Sequence, residues 1–264
     1  NYFSSISSDL SQASSQSNDQ ARYDLDMEFR PVNLVRTERI TSDISILSFD
    51  GSVDIKAGEF IFLWIPGLGE KPFSVLTNDP FSLVVIDLGE FTHELVALEP
   101  GTKAYIRGPY GQRIDPPSDA NIVAVAGGTG LAAVFQIAKD FGNADIFVGA
   151  RSSERLYFQE ECAAISSLHI ATDDGSSGYS GLVTELLEQY LHGLSSEKLR
   201  NTYFYNCGPS PMVSAAIEVE KKFANNGQIF SAVDYLTKCG VGICGACAAP
   251  NGQRICVDGP FLNP

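Results

Sequence analysis

Apolar and polar positions along this chain fall into two textures, one after the other. Between about residues 24 and 117 the apolar positions come in short runs, at 31–35, 44–49, 60–65, 83–86 and 103–106. Turn residues separate these runs at Asp50-Gly51, Ala57-Gly58, Pro66-Gly67, Pro100-Gly101 and Gly108-Pro109-Tyr110-Gly111. Strands this short and this closely spaced predict a small antiparallel β-barrel. After Pro116-Pro117 the pattern changes. Positions 121–126 read as a buried strand, which Gly127-Gly128-Thr129-Gly130 ends. Helix 131–141, strand 146–149, helix 154–165, strand 168–172, helix 183–191, strand 202–206 and helix 211–224 follow. Such alternation predicts a parallel sheet with ligands at the carboxyl ends of its strands. The expected fold class is therefore a β barrel plus an α/β domain, in residues 24–117 and 118–226, with a small C-terminal module in 227–264. Residues 1–23 carry eight serines in their first twenty positions and are expected to form a flexible tail, since they bury too little apolar surface to order a backbone.

Composition and charge change this picture by exclusion. The chain has 264 residues, a net charge of −14 and a pI near 4.5. That balance argues against nucleic acid, which attracts a basic face, and against an anionic membrane surface. No apolar run approaches the roughly 18 residues of a spanning helix. The first basic residue is Arg22 and no apolar core precedes it, so no secretory signal is expected. Cysteines gathered as metal ligands point to the reducing cytoplasm.

Four of the six cysteines lie within eighteen residues, as Cys239, Cys244, Cys247 and Cys256, spaced C-x4-C-x2-C-x8-C. The first three repeat the spacing of plant-type 2Fe–2S loops, and Gly240, Gly242 and Gly245 suit a tight loop around such a cluster. Cys256 is the one cysteine downstream and so the candidate fourth ligand. Zinc usually takes two short pairs, of which only Cys244/Cys247 is present; disulfides are the other alternative. A zinc-stapled binding protein is the corresponding rival from another functional class. Cys162 sits on a helical stretch and reads as core, and His93, His169 and His192 share no ligand spacing.

Other motifs fall where a parallel sheet and a barrel would place them. Gly127-Gly128-Thr129-Gly130 lets backbone N–H groups and a helix N-terminus approach a phosphate, or makes a packing turn. Lys71-Pro72-Phe73-Ser74 supplies a cation and a hydroxyl after an apolar strand, or a surface turn. Cys207-Gly208-Pro209 with Met212 ends a later strand.

Together these residues resemble the ferredoxin–NADP reductase superfamily over about residues 27–264. With the run from Cys239 to Cys256 the resemblance is to the electron-transfer subunits of dihydroorotate dehydrogenase B. It implies an FAD-binding barrel, an NAD-binding α/β domain and a 2Fe–2S module held by Cys239, Cys244, Cys247 and Cys256. In the superfamily the motif matched by Lys71, Pro72, Phe73 and Ser74 contacts FAD; an arginine usually stands where this chain has Lys71, a point charge without the bidentate fork. Val85, Ile86, Asp87 and Thr92 match the second flavin stretch. Gly127, Gly128, Thr129 and Gly130 match the nucleotide turn. Arg151 matches a strand end beside the adenosine ribose, and Asp173 and Asp174 match a loop near the nicotinamide nucleotide. Cys207 is implied as the residue against the nicotinamide, with Gly208, Pro209 and Met212 shaping the pocket.

The function so implied is electron transfer between NAD(H), FAD and the cluster, to or from the FMN of a dihydroorotate dehydrogenase catalytic subunit in a heterotetramer, for pyrimidine biosynthesis. The same electron module serving a cytoplasmic hydrogenase or sulfur reductase is the nearer alternative. Arg151 and Arg155 suit a 2′-phosphate, whereas Asp173, Asp174 and the resembled family point to NADH. The stretch 259–262 places apolar side chains beside the cysteine loop, either as a docking surface or folded back on the core.

Overall fold

The computed structural model describes residues 28–232 and 236–264; the serine-rich stretch 1–23 lies outside the described residues. Seven strands build an antiparallel sheet: β1 (Arg30–Arg39), β2 (Ile44–Phe49), β3 (Phe60–Ile65), β4 (Gly69–Phe73), β5 (Val75–Asn78), β6 (Phe81–Ile86) and β7 (Lys103–Tyr110). Their order is β4-β3-β7-β1-β2-β6-β5, and a short helix α1 (Glu90–Val96) joins β6 to β7. Inward side chains such as Leu34, Leu47, Phe49, Ile61, Leu63, Phe81 and Leu83 form its core.

Strand β4 has no apolar alternation to announce it, because it lies at the sheet edge. Pro72 pairs with Phe62 there, a position where a residue without an N–H costs least. The unbroken apolar run of β3 has a physical reason. Ile61, Leu63 and Ile65 face the barrel core, while Phe60 and Phe62 face Cys247, Ile255, Cys256 and Leu262 of the C-terminal module. Burial on both faces removes the polar alternation of an ordinary half-exposed strand.

The second sheet comprises β8 (Asn121–Gly127), β9 (Asp145–Ala150), β10 (Ser167–Thr172), β11 (Tyr179–Ser180), β12 (Thr202–Cys207), β13 (Ile229–Ala232) and β14 (Phe261–Leu262), in the order β11-β10-β9-β8-β12-β13-β14. All pairs are parallel except β13 with β14. Helices α2 (Gly130–Phe141) and α3 (Gln159–Ile165) cover one face, and α4 (Val183–His192) and α6 (Ser210–Glu220) the other. The short helices α5 (Ser196–Arg200) and α7 (Ile255–Asp258) precede β12 and β14. No helix among the described residues is long and apolar enough to cross a membrane.

Two expectations change. The helix expected over 154–165 is a 3-10 turn, Ser153–Arg155, followed after a break by α3. Leu156 and Tyr157 turn into the core between them, and Phe158 takes a left-handed conformation that starts the second helix. Helix α6 ends at Glu220 rather than near 224. Of the two readings of stretch 259–262, Phe261 and Leu262 follow the one folded back on the core: β14 pairs with β13, and Phe261 packs edge-on against Tyr205 at 5.6 Å.

Helix α2 also seats the barrel. Gln136 donates from Nε2 to the Leu76 carbonyl at 3.0 Å, and Asp140 accepts the Ala57 N–H at 2.7 Å. The helix that begins at the glycine turn is thereby fixed to the first sheet.

Candidate functional site

Strand β8 lies between β9 and β12, so the connections leaving its two neighbours run to opposite sides of the sheet. A crevice opens at such a reversal, beyond the strands' carboxyl ends. Here Gly127 to Gly130 meets Cys207 to Met212, because Ala126 pairs with Cys207. The approach is close. A Cβ at Gly130 would collide with the Cys207 carbonyl and come within 2.8 Å of the Gly208 nitrogen. Gly208 has φ +156°, and a Cβ there would come within 2.9 Å of the Gly127 backbone. Tyr157 donates its hydroxyl to the Gly128 carbonyl at 2.7 Å, and burial pushes its ionisation far above the ordinary range, so the phenol keeps that proton. The Tyr157 contact was not legible beforehand; its signal is a tyrosine interrupting an amphipathic helix pattern.

The lip of the crevice carries the charged candidates. The Asp173 N–H bonds the Ala150 carbonyl at 3.0 Å and the Asp174 N–H bonds the Arg151 carbonyl at 3.2 Å, bringing Arg151, Asp173 and Asp174 together. All three are exposed. Hydrogen bonds from the Ser176 hydroxyl and N–H hold the Asp174 carboxyl below its ordinary range. Arg155 is engaged elsewhere, ion-paired to Asp43 of the barrel at 2.6 Å.

The two stretches expected to meet a flavin also converge. Phe73 on β4 and Phe91 on α1 lie 6.4 Å apart, and Ile86 at the end of β6 packs beside Gly128. Lys71 is exposed, while Pro72, Phe73 and Ser74 are half-buried. Val85 is buried and Asp87 accepts from His93 Nδ1 at 2.9 Å, which raises the His93 imidazole above its ordinary value. The Thr92 hydroxyl accepts the Leu88 and Gly89 N–H groups and donates to the Gly89 carbonyl. One donor and two acceptor sites are all a hydroxyl has, so Thr92 shapes the 87–92 loop from within.

The four cysteines of the C-terminal loop are free thiols arranged as two pairs. Cys247 and Cys256 are each 1 % exposed, with sulfurs 3.4 Å apart, and the Gly242 N–H donates to Cys256 Sγ at 3.2 Å. Cys239 pairs with Cys244, which is exposed. Partial burial opposes the Cys239 thiolate, but N–H groups of Cys244, Val241 and Ile243 outweigh it and draw the thiol down. Burial and the neighbouring Cys247 push Cys256 up. Among the described residues no three His, Cys, Asp or Glu side chains gather around one point as a single ion requires. Two thiol pairs, one per iron, with backbone N–H groups turned to the sulfurs, fit a binuclear iron–sulfur cluster.

Comparison with known proteins agrees with this geometry. Residues 124–218 match the oxidoreductase NAD-binding domain, and residues 236–263 match the iron–sulfur cluster binding domain of dihydroorotate dehydrogenase B. A probable dihydroorotate dehydrogenase B (NAD(+)) electron transfer subunit of Methanocaldococcus jannaschii is 36% identical over 218 residues, 81% of each chain. The chain belongs to this electron transfer subunit family. A second member, from Pyrococcus abyssi, is 34% identical over 88% of this chain and 89% of its own. Among solved structures, a chain of the NADH-dependent reduced ferredoxin-NADP oxidoreductase has a TM-score of 0.77 at 24% identity, covering 88% of this chain and 87% of its own. A ferredoxin NADP+ reductase from Neisseria gonorrhoeae has a TM-score of 0.63 at 20% identity, covering 77% of this chain and 97% of its own, and shares the barrel and α/β fold. As in the family, the electron transfer subunit described here is an oxidoreductase component with an NAD-binding half and an iron–sulfur module.

The most consequential residue that motif reading missed is Arg107. It is 3 % exposed on β7, yet it contacts both β4, through Glu70, and the cysteine loop. Its only signal is a cation inside an apolar strand just before Gly108-Pro109.

Proposed function

We propose that this subunit passes electrons between NAD(H), FAD and a 2Fe–2S cluster, to or from the FMN of a dihydroorotate dehydrogenase catalytic subunit, within a cytoplasmic heterotetramer of pyrimidine biosynthesis. The observation that carries the proposal is the seating of the Cys247/Cys256 pair, with Cys239 packed alongside, against the outer face of β3, one strand from the Lys71-Pro72-Phe73-Ser74 edge. Bound there, FAD and the cluster supply the conversion of a two-electron hydride donor into single-electron steps. The chain's own residues position them. Cys239 and Cys244 take one iron, Cys247 and Cys256 the other. Lys71 offers its charge to the FAD pyrophosphate, Ser74 its hydroxyl to the isoalloxazine edge, and Val85, Ile86 and Asp87 line the cofactor, with Thr92 shaping their loop. Gly127, Gly128, Thr129 and the α2 N-terminus take the NADH pyrophosphate. Cys207, Gly208, Pro209 and Met212 form the nicotinamide wall. Electrons cross to or from the partner where the loop is open: Cys244 is exposed, Ile243 is 75% exposed and Leu236 is 61% exposed.

Protein purified without oxygen is expected to hold about one FAD, two irons and two labile sulfides per chain. Alone it reduces artificial dyes with NADH; mixed with its catalytic subunit it couples dihydroorotate oxidation to NAD reduction. Cys247→Ser removes the cluster absorbance and leaves the flavin. Zinc without labile sulfide, or capture of a hydrogenase subunit in place of the dehydrogenase, would overturn the assignment.

NADH is expected to reduce the flavin with a higher kcat/KM than NADPH. Arg155 is occupied by Asp43, and Arg151 stands beside Asp173 and Asp174, which repel a further phosphate. Stopped-flow bleaching of the flavin band with both nucleotides decides this, and an NADPH preference reverses it.

A further inference from the structure

We propose that Arg107 is a positioning residue that joins the flavin-side strand to the iron–sulfur loop, and that Arg107 and Glu70 together set the electrostatic environment of the Cys239 end of the cluster. The proposal rests on the cluster ligation given above and adds a residue outside every motif. The guanidinium forks onto Glu70, with Nε to Oε1 at 2.6 Å and Nη2 to Oε2 at 2.8 Å. Glu70 lies on β4, next to Lys71 of the flavin motif. Its remaining N–H groups point the other way, Nη1 to the Cys239 carbonyl at 2.7 Å and Nη2 to the Lys238 carbonyl at 2.8 Å.

The planar group is held flat as well. Its centre lies 4.0 Å above the Phe62 ring and 5.1 Å from that of Tyr110. Phe62 pairs in register with Pro72 on one side and Arg107 on the other, so flavin strand, β3 and β7 present one continuous outer face to the cluster module. Gly240, the residue after the first cysteine, closes over the arginine: a Cβ there would come within 3.1 Å of Arg107 Nη1 and the Tyr110 ring. A lysine could not reproduce this, having neither the fork nor the plane.

The physical consequence is a signed one. Reducing the cluster adds one negative charge close to the Cys239 peptide. A buried cation bound to that peptide stabilises the reduced form, and the Glu70 carboxylate behind it opposes that effect. The two residues therefore pull the potential in opposite directions while supporting the same loop geometry.

The test uses the full chain with its cofactors, comparing wild type, Arg107→Met, Arg107→Lys, Glu70→Gln and the double variant Arg107→Met/Glu70→Gln. Redox titration followed by the cluster's electron paramagnetic resonance signal is expected to show a more negative potential for Arg107→Met and a more positive one for Glu70→Gln. The double variant should lie between them. Release of iron to a chelator is expected to quicken roughly 10- to 100-fold in Arg107→Met, the usual cost of removing an outer-shell partner, and less in Arg107→Lys. Flavin content stays at the wild-type level. Shifts of the same sign in both single variants, or unchanged potentials and chelator rates, would overturn the role of Arg107. Wild-type protein lacking the cluster signal altogether would instead overturn the ligation on which it rests, so the two failures are distinct. If Arg107→Met does not fold, the Glu70→Gln potential decides the sign alone.

Discussion

Gly130→Ala is expected to slow NADH-dependent flavin reduction by about two orders of magnitude while leaving FAD bound. The added methyl would meet backbone, the Cys207 carbonyl and the Gly208 nitrogen, rather than the movable end of a side chain. Strand β12 would have to retreat from β8 where Ala126 and Cys207 are paired. Overpacking of this kind costs about 1–3 kcal/mol. The larger effect is geometric, since a displacement near 1 Å between reacting groups costs about 100-fold in rate. The stretches proposed to hold FAD, on β4 and β6, lie on the other sheet, which predicts unchanged flavin content. Gly227→Ala is the control, because a Cβ there meets nothing within 4 Å. Stopped-flow reduction at saturating NADH, with the flavin-to-protein ratio measured alongside, checks the prediction; a Gly130→Ala rate equal to the control's would sink it.

The second large effect is pH-dependent and belongs to Glu220, which is 0 % exposed. Asn206 Nδ2 donates to one of its carboxyl oxygens at 2.8 Å, and Asn206 Nδ2 also lies 3.4 Å from Ser231 Oγ on β13. Glu220 Oε1 and Asn206 Oδ1 are both buried with no partner among the described residues. A carboxyl proton on Oε1 would serve both, closing an acid–amide ring next to Cys207. Burial, only partly offset by the Asn206 hydrogen bond, pushes the carboxyl from 4.5 up to about 8. The sign follows from proton counts. Between pH 4.5 and about 8 the folded protein holds a proton that the unfolded chain has released, so stability falls as pH rises, at about 1.4 kcal/mol per unit. Below 4.5 the contribution is complete, and above about 8 the loss levels off. Its ceiling is about 5 kcal/mol. Glu220→Gln keeps a two-bond ring with Asn206 and carries no proton to lose. Unfolding midpoints of both proteins from pH 5 to 9 should diverge progressively, with the variant increasingly the more stable. Parallel profiles would show that Glu220 is ionised in the folded state.

By itself the sequence determined what short-range order encodes. Alternating and unbroken apolar runs located β2 and β3 to the residue and β8, β9, β10 and β12 nearly so, because side-chain period reports local backbone geometry. The C-x4-C-x2-C spacing carried the iron–sulfur chemistry for the same reason, since three thiols in nine residues close on one loop whatever surrounds it. Strand β4 escaped, as edge position rather than periodicity makes it a strand. So did the break at Leu156-Tyr157, where core burial and the Gly128 carbonyl overrode helical spacing. The docking of Phe261 and Leu262 depended on a free edge of β13 that only the assembled sheet provides. Arg107 and Cys239 are 132 positions apart, and Asn206 and Glu220 face each other only because α6 packs back on β12. A charge buried in a strand is a local anomaly in sequence; its partners, and therefore its sign and its use, are set by contacts that chain order does not record.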